Sequence, residues 1–324
     1  MGIDTSNYTT SVAVVDENGC LLGEERQLLT VKSGNRGLRQ SEAFYQHCFN
    51  LPVILEKLAN SMPAIDLADI SAIGVSTRPR NIEGSYMPVF KCGENFARFT
   101  GTTLKVPVFE FSHQEGHVKA ITSFNKVGEK FITFHLSGGT NEVLKIQANP
   151  YNNCENQREM GIEIIGRTLD ISMGQLIDRV GVLMELPFPA GPYMDQLALD
   201  FKEKIEKEDA KGTLHVKPIP VKGLDINVSG IETQLSRKVG EFSKEEIAAT
   251  AFKSIVKALE KQVKLCQEQY PGWPIVFAGG VAKSQYIRDY FKDQVIFGQY
   301  SSDNAVGTAL LCRDEYLKRE NYGY

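Results

Sequence analysis

The sequence predicts an α/β protein in which two lobes share one structural plan. A strand, a polar turn and a second strand occupy residues 1–15, and the same order recurs at 131–147. Helical patterns of apolar residues follow both segments, as expected when helices pack on the faces of sheets. The 324 residues are enough for two domains. We therefore predict a duplicated fold with lobes at 1–128 and 129–304, and a last helix, 305–324, that returns to the first lobe.

The first lobe begins with an acidic residue at a strand end. Gly2-Ile3-Asp4 ends the first strand, a hydroxyl-rich turn follows, and further strands are expected at 11–15 and around 21–27. In actin-like ATPase folds, an acidic residue before such a hairpin helps to hold nucleotide phosphates. Asp4 is therefore a candidate catalytic residue.

Residues 41–60 have helical spacing, which predicts a helix with one apolar face. The residues expected on that face are Phe44, Cys48, Leu51 and Leu55. A buried strand at 70–76 and a helix at 90–100 follow.

Arg78 and Arg80 lie in the loop that follows the strand at 70–76. Their guanidinium groups suit a phosphate or a carboxylate. A solvated loop explains them equally well.

The segment Ser112-His113-Gln114-Glu115-Gly116-His117 carries the strongest local signal. It follows a buried strand at 106–111, and in a helix His113 and His117 would share a face with their Cβ atoms roughly 5–6 Å apart. That spacing suits two ligands of one metal ion, although packing of one histidine and solvation of the other is the alternative. His135, which ends another strand, favours the metal interpretation. Because the glutamate stands third in the motif, a protease of the His-Glu-x-x-His type is disfavoured.

The second lobe repeats the hairpin and then continues with helices. A tight turn, Ser137-Gly138-Gly139-Thr140, joins strands at 131–136 and 141–147. A helix is predicted at 172–184, and residues 166–170 lead into it. On this helix Asp170, Gly174 and Asp178 would share a face at i, i+4 and i+8.

Two more helices are expected at 193–207 and 242–270, and Ser243 with Glu246 is the predicted cap of the second. A buried strand at 275–281 then enters the diglycine turn Gly279-Gly280, and Ser284 opens a helix. Backbone N–H groups there could hold an adenosine or a phosphate, or the glycines could simply form a turn. Of Asp303 and Asn304, which precede the last helix, N-capping explains one and leaves the other to bind a ligand.

Composition limits the possible function classes. A net charge of −4 does not indicate a nucleic-acid surface, although a local basic patch is compatible with it. Six scattered cysteines without a CxxC pattern indicate free thiols in a reducing compartment. Since no apolar run approaches the roughly 18 residues of a membrane span, we predict a cytoplasmic protein.

Taken together, these segments resemble one family, the TsaD/Gcp-type threonylcarbamoyladenosine synthases, once called O-sialoglycoprotein endopeptidases or glycoproteases. The resemblance runs nearly end to end, and its motifs follow the family's order. They are Gly2-Ile3-Asp4-Thr5-Ser6, His113-Gln114-Glu115-Gly116-His117, Ser137-Gly138-Gly139, Asp170 to Asp178, Pro189-Ala190-Gly191-Pro192, Asn227-Val228-Ser229-Gly230, Ala278-Gly279-Gly280-Val281 and Ser302-Asp303-Asn304.

The resemblance implies a two-lobed actin-like ATPase (ASKHA) fold, built from duplicated ribonuclease-H-like lobes with a nucleotide in the cleft between them. It also implies a divalent metal, Fe or Zn, on His113, His117 and Asp303, with His135 as a further ligand. AMP, ATP or an acyl-adenylate would be the nucleotide ligand. Its expected contacts are Ser137, Gly138, Gly139, Asp170, Asp178, Gly191, Gly279, Gly280 and Ser284.

By resemblance, the reaction transfers a threonylcarbamoyl group from its adenylate to the adenosine next to the tRNA anticodon. Glu115 is a candidate general base by proximity, or else a carboxylate that orients a metal ligand. The implied partners are tRNA, a degenerate paralogue of the same fold and a small ATPase.

The sequence departs from the family pattern at several points. Arg78-Pro79-Arg80-Asn81 replaces a usual Gly-Pro-Gly-Leu, Tyr8-Thr9 replaces Asp-Glu of many bacterial members, and Ile171 replaces an Asp. These changes leave a divergent paralogue open as the alternative. Such a protein would bind nucleotide and metal but act on another substrate or as a regulator. A metallo-glycoprotease is a weaker alternative.

Overall fold

The computed structural model describes residues 1–6, 8–31, 38–63, 66–128, 130–148, 160–208, 214–299 and 304–322. The chain forms two compact units, each of which is described by itself. Unit 1 comprises Met1–Thr30, Gly37–Lys126 and Gln299–Tyr324, and unit 2 is built mainly from Val127–Gly298. Within the described ranges, no helix is both long and apolar enough to span a membrane.

The strands alternate with helices along most of the chain. The strands are β1 (Gly2–Asp4), β2 (Thr9–Val15), β3 (Leu21–Leu28), β4 (Ile73–Arg78), β5 (Val108–Ser112), β6 (Lys130–Leu136), β7 (Asn141–Ala148), β8 (Met160–Arg167), β9 (Val221–Lys222), β10 (Asp225–Ile226), β11 (Ile275–Ala278) and β12 (Ile296–Phe297). The α-helices are α1 (Gln40–Ser61), α2 (Phe90–Leu104), α3 (His113–Phe124), α4 (Met173–Leu183), α5 (Gly191–Glu208), α6 (Ser229–Ser236), α7 (Lys244–Gln269), α8 (Gln285–Phe291) and α9 (Val306–Tyr322).

The two large sheets have the same topology. The strand order is β3-β2-β1-β4-β5 in unit 1 and, read from the opposite edge, β8-β7-β6-β11-β12 in unit 2. In both sheets the first three strands in chain order are antiparallel neighbours, and the last two join in parallel. The structure thus confirms the structural duplication predicted from the two strand–turn–strand segments.

Most of the expected elements are present, and the elements without a prediction lie in unit 2: β8, β9, β10, α6 and β12. The edge strands β8 and β12 have weak sequence signals, because β8 contains Gly161 and Gly166 and β12 has only two residues. Glycine weakens the strand signal, and so does short length. The cap predicted for α7 is present, since the Ser243 hydroxyl accepts a hydrogen bond from the Glu246 N–H. The Glu246 carboxylate instead accepts from Leu214 N–H at 2.8 Å.

The predicted face of α1 is partly wrong. Cys48 is exposed, whereas His47 is fully buried beside Leu51. The reason is that α1 packs on both β2 and β3, which turns its buried face toward His47. The buried imidazole is accommodated by a hydrogen bond of 2.8 Å between its Nδ1 and the hydroxyl of Thr10 on β2.

A close contact between α3 and α9 fixes the position of α3 in unit 1. A Cβ on Gly307 would overlap the backbone carbonyl of Gly116, and one on Gly116 would lie 3.0 Å from the Thr308 hydroxyl. The two helices therefore approach one another at backbone distance, which requires glycine at position 307.

We expect Gly307→Ala to lower the free energy of unfolding by about 3 kcal/mol, because backbone atoms on both helices must move to admit a methyl group. Denaturant unfolding measures the change. Gly230→Ala is the control, since a Cβ there meets nothing within 4 Å and the substitution should shift stability by less than about 1 kcal/mol. Equal effects of the two substitutions would contradict the contact.

Candidate active site

The buried carboxylate of Asp4 is the centre of the site in unit 1. Asp4 ends β1 with only 2% of its surface exposed. Its Oδ1 accepts a hydrogen bond of 2.7 Å from the Ser6 N–H, and its Oδ2 accepts one of 2.9 Å from the Ser76 hydroxyl on β4. Ser76 also lies 3.2 Å from the hydroxyl of Thr308 on α9. The carboxylate thus joins three elements of unit 1.

A capping box determines where α3 begins. The Ser112 hydroxyl accepts from the Glu115 N–H at 3.2 Å, and the Glu115 carboxylate accepts from the Ser112 N–H at 2.7 Å. The Ser-x-x-Glu pattern is the known sequence signal for this cap, but the sequence analysis did not use it. The cap makes His113 the first residue of α3 and places His117 one turn later. Glu115 therefore has a structural role, and its role as general base stays a prediction.

His113 is held by Asp4. Its Nδ1 lies 2.8 Å from Asp4 Oδ2 and 2.9 Å from the Ser6 hydroxyl. Burial raises the pKa of Asp4, but the charge and hydrogen bond of His113 and the bonds from Ser6 outweigh it, so the pKa lies below its ordinary value. Because an ionised carboxylate can only accept, the proton on His113 lies on Nδ1.

His117 completes a convergent pair of ring nitrogens. The Nε2 atoms of His113 and His117 are 2.8 Å apart, and their rings meet edge to face at a centroid distance of 4.3 Å. Two nitrogens bound to one tetrahedral Zn²⁺ would be about 3.3 Å apart, so the two Nε2 atoms would have to separate by about 0.5 Å to share a metal. A carboxylate on the other ring nitrogen is the usual support of a metal-bound histidine. The donor set therefore fits a metal ion.

The other predicted metal ligands are located differently. His135 lies on β6 of unit 2, directly opposite Glu142 of β7. Asp303 lies outside the described residues, whereas the Asn304 side-chain oxygen accepts from the Val306 N–H at 2.9 Å in a turn just before α9. Among the residues with described positions, no group of three or more His, Cys, Asp or Glu side chains could hold a metal ion. The full ligand set stays a prediction.

In unit 2, the predicted nucleotide turns lie at the carboxyl ends of β6 and β11. The Ser137 hydroxyl accepts from the N–H groups of Gly139 and Thr140 at 3.3 and 3.0 Å, which closes the turn after β6. Ser172, the N-cap of α4, donates its hydroxyl to the Gly138 carbonyl at 2.8 Å. The turn and the start of α4 therefore form one structure.

Gly279 lies next to this turn. Its φ of +97° belongs to the left-handed region, and a Cβ there would overlap the carbonyl of Leu136, which ends β6. Glycine is therefore required where β11 ends. The structure brings the two predicted turns, Ser137-Gly138-Gly139 and Gly279-Gly280, together in unit 2.

Asp178 and Gly191 also lie together. The Asp178 carboxylate accepts from the Ala190 N–H at 2.8 Å and from the Gly191 N–H at the start of α5. Burial raises the pKa of Asp178 above its ordinary value, although these two bonds act in the opposite direction. The contact explains how Asp178 fixes the turn before α5, while its contact with nucleotide stays a prediction.

The expected common face of Asp170 and Asp178 is wrong. Asp170 precedes α4, because Ser172 caps that helix. Its carboxylate instead accepts from the Val228 N–H at 2.7 Å and from the Ser229 N–H and hydroxyl at 3.0 and 2.6 Å. Burial raises the pKa of Asp170, but the hydrogen bonds from Ser229, Val228 and Ile171 prevail and lower it to about 2. Asp170 thus caps α6.

Ser284 is similarly engaged in a cap. Its hydroxyl accepts from the Ile287 N–H at 3.3 Å and donates to Asp195 on α5 at 2.5 Å. Asp195 also accepts from the N–H groups of Gln285 and Tyr286. Asp195 could not be predicted from local sequence, because its partners lie about 90 residues away. Ser76, which donates to Asp4, is different, because it is a polar residue that follows the apolar residues of a predicted buried strand. That pattern is a local signal from which Ser76 could have been predicted as a site residue.

Comparison with known proteins identifies the family. The family model "TsaD: tRNA N6-adenosine threonylcarbamoyltransferase" matches residues 28–310. The chain belongs to the TsaD family. Two relatives that carry the name tRNA N6-adenosine threonylcarbamoyltransferase come from Neorickettsia sennetsu and Nanoarchaeum equitans. The first is 28% identical, and the match covers 90% of this chain and 83% of the relative. The second is 27% identical, and the match covers 96% of this chain and 92% of the relative. The protein is thus a transferase of the tRNA-modifying class.

Solved structures show the fold of this TsaD-family chain. The activator of the 2-hydroxyisocaproyl-CoA dehydratase from Clostridium difficile, solved with bound ADPNP, covers 99% of this chain at a TM-score of 0.54 and 14% identity, with 96% of its own length matched. HypF from T. kodakarensis matches at a TM-score of 0.53 and 13% identity, and the match covers 82% of this chain and 43% of the HypF chain. These neighbours confirm the predicted actin-like ATPase fold.

We expect Asp170→Ala in this TsaD-family protein to lower the free energy of unfolding at pH 7 by about 1–2 kcal/mol, because α6 loses its cap. The lowered pKa means that the carboxylate stabilises the protein above pH 3.8 and loses this effect as the pH falls toward 2. The difference from wild type should therefore shrink in that range, as denaturant titrations at several pH values would show. Asp289→Ala, which removes a carboxylate that accepts from Gln285 Nε2, is the control. A loss of AMP binding at full stability would contradict a purely structural role.

Proposed function

We propose that this chain transfers a threonylcarbamoyl group from its adenylate to the N6 amino group of the adenosine next to the tRNA anticodon, with a divalent metal bound. Membership of the TsaD family, over residues 28–310, is the observation that carries this proposal. In the transfer, the adenosine N6 attacks the carbamoyl carbon, a C–N bond forms, the C–O bond to AMP breaks, and N6 loses a proton. The tRNA substrate and the free thiols of the described cysteines support the prediction of a cytoplasmic location.

His113 and His117 would hold the metal, with Asp303 as a third ligand. When bound, the metal supplies Lewis acidity for the threonylcarbamoyl end of the substrate. Asp4 positions His113 by accepting its Nδ1–H, which directs Nε2 toward His117. The lowered pKa keeps Asp4 ionised and makes it a weak base, so its part in catalysis is to orient a ligand.

The nucleotide would be held by unit 2. The turns at Ser137-Gly138-Gly139 and Gly279-Gly280 expose backbone groups at adjoining strand ends, an arrangement that suits phosphate and ribose oxygens. A Cβ on Gly138, Gly191 or Gly280 would meet no protein atom within 4 Å, so these backbones are open to a ligand. The AMP moiety of an acyl-adenylate is the proposed occupant, and AMP is the expected product.

The proposed protein partners are a same-fold paralogue and a small ATPase. One feature of α1 supports a protein contact. Tyr45, Phe49 and Val53 are exposed by 63%, 61% and 43% and recur at i, i+4 and i+8 on this helix. A row of large apolar side chains on an exposed helix face is typical of an interaction surface.

We expect the double variant His113→Ala/His117→Ala to lose its bound metal and to transfer at a rate at least about 100-fold lower than wild type. Its affinity for AMP should stay within about twofold of wild type. The physical reason is that the two substituted histidines belong to unit 1, whereas the nucleotide turns belong to unit 2. Elemental analysis gives the metal content, and labelled threonine measures transfer to tRNA in the presence of partner proteins. His215→Ala removes an exposed histidine and is the matched control.

Two results would count against the proposal. Full transfer by the metal-free variant would exclude a metal role for the histidines. Wild-type protein that binds AMP and metal, yet does not restore the modification in cells that lack their own enzyme, would instead favour a paralogue that acts on another substrate.

A further inference from the structure

The loop after β4 lies beside the histidine helix of unit 1. Arg78, the last residue of β4, is paired in register with Ser112, which caps α3 immediately before His113. The next residue, Pro79, accepts a hydrogen bond of 3.1 Å from the Gln114 N–H in the first turn of α3. The segment 78–86, here called the β4 loop, is therefore attached at its start to the candidate metal end of the site.

The β4 loop closes on itself as a defined turn. Arg80 donates its N–H to the Ser85 hydroxyl at 3.1 Å, and the Ser85 N–H donates to the Ile82 carbonyl at 3.1 Å. Gly84 has a φ of +75°, a conformation that favours glycine. The residue after Ser85 is Tyr86, so the turn brings Tyr86 near Arg80 in the chain path.

Arg78 carries a positive charge that no side chain in the described ranges neutralises through an ion pair. Its Nη2 donates to the Asn81 side-chain oxygen at 2.8 Å, and its Nη1 donates to the Thr77 hydroxyl at 3.2 Å. Both acceptors are neutral, and within the described part of the chain Arg78 forms no ion pair. Arg98 on α2 differs, because it pairs with two glutamates, Glu94 and Glu110. The guanidinium of Arg78 is thus oriented by its loop and keeps its full charge for an anion.

The same loop exposes large apolar side chains. Tyr86 is 61% exposed and Ile82 is 55% exposed. An exposed aromatic ring in the same loop as an arginine is a combination that suits single-stranded RNA, because bases stack on such rings while arginine binds the phosphates. A small carboxylate would use the arginine but would have no use for the ring.

We propose that the β4 loop is an RNA-binding subsite, in which Arg78 binds a backbone phosphate and Tyr86 stacks on an unpaired base of the tRNA anticodon loop. This inference rests on the proposed function, since it assigns part of the tRNA contact to the same site. The register of Arg78 with Ser112 places the phosphate contact one residue from the start of α3. The loop therefore positions the RNA relative to His113 and His117.

The test measures binding of a fluorescent anticodon stem-loop RNA to the full-length protein by anisotropy. We expect Arg78→Gln to raise Kd about tenfold and to lower the slope of log Kd against log salt by nearly one, as loss of one phosphate contact requires. Tyr86→Ala should raise Kd about tenfold without changing that slope, and Tyr86→Phe should bind like wild type because the ring remains. Arg98→Gln, which removes an already paired arginine, is the control and should leave Kd unchanged.

Steady-state transfer separates RNA binding from binding of the small donor. The inference predicts that Arg78→Gln raises KM for tRNA while KM for the adenylate is unchanged. Unchanged RNA affinity in both variants, or a raised KM for the adenylate alone, would overturn the inference while wild-type transfer still supports the proposed function. Failure of wild type itself to bind the RNA and to transfer would contradict both.

Discussion

A buried carboxylate, Asp4, is the constraint on which the arrangement of unit 1 depends. An ion of this kind is tolerated in a protein interior only when donors surround it. The donors here are Ser6 in the turn after β1, Ser76 on β4 and His113 at the start of α3. Each donor also fixes the strand end or helix start that carries it. One side chain thereby sets both the strand ends and the orientation of the first histidine.

The duplicated topology explains why residues far apart in sequence form sites. In each unit, the strand that begins the sheet lies at its centre, antiparallel to one neighbour and parallel to the other. Ligands of α/β proteins bind outside the carboxyl ends of such strands, where the order of connection reverses. Asp4 ends the central strand of unit 1, and the Ser137-Gly138-Gly139 turn follows that of unit 2. The same position thus carries charge in one unit and glycines in the other.

Much of the fold could be predicted because its signals are local. The strand–turn–strand repeat, the helical spacing of α1 and α7 and the His-x-Glu-Gly-His motif at a strand end need only neighbouring residues. The buried face of α1 was partly missed because tertiary packing on β2 and β3, rather than spacing alone, selects His47.

The site was predicted less completely because hydrogen-bond partners are distant in sequence. Helical spacing placed Asp170 on a face with Asp178, yet N–H groups 58 and 59 residues away bind the Asp170 carboxylate. The Ser284 hydroxyl is shared between the α8 cap and Asp195, and its contact with nucleotide stays a prediction. No local pattern reports such partners. By contrast, the sequence itself shows that Arg78 departs from the family pattern. The structure adds that the two described hydrogen-bond acceptors of its guanidinium group are neutral.

The protonation of His113 tests the central claim most directly, namely that Asp4 directs the Nε2 of His113 toward His117. Long-range ¹H–¹⁵N correlation spectra of ¹⁵N-histidine-labelled protein, assigned with His113→Gln, distinguish the two ring nitrogens at neutral pH in metal-free protein. The account predicts a proton on Nδ1 of His113, and a change of this signal in Asp4→Asn. A proton on Nε2 with an unprotonated Nδ1 would contradict it, because the Asp4 carboxylate would then have no donor on this ring.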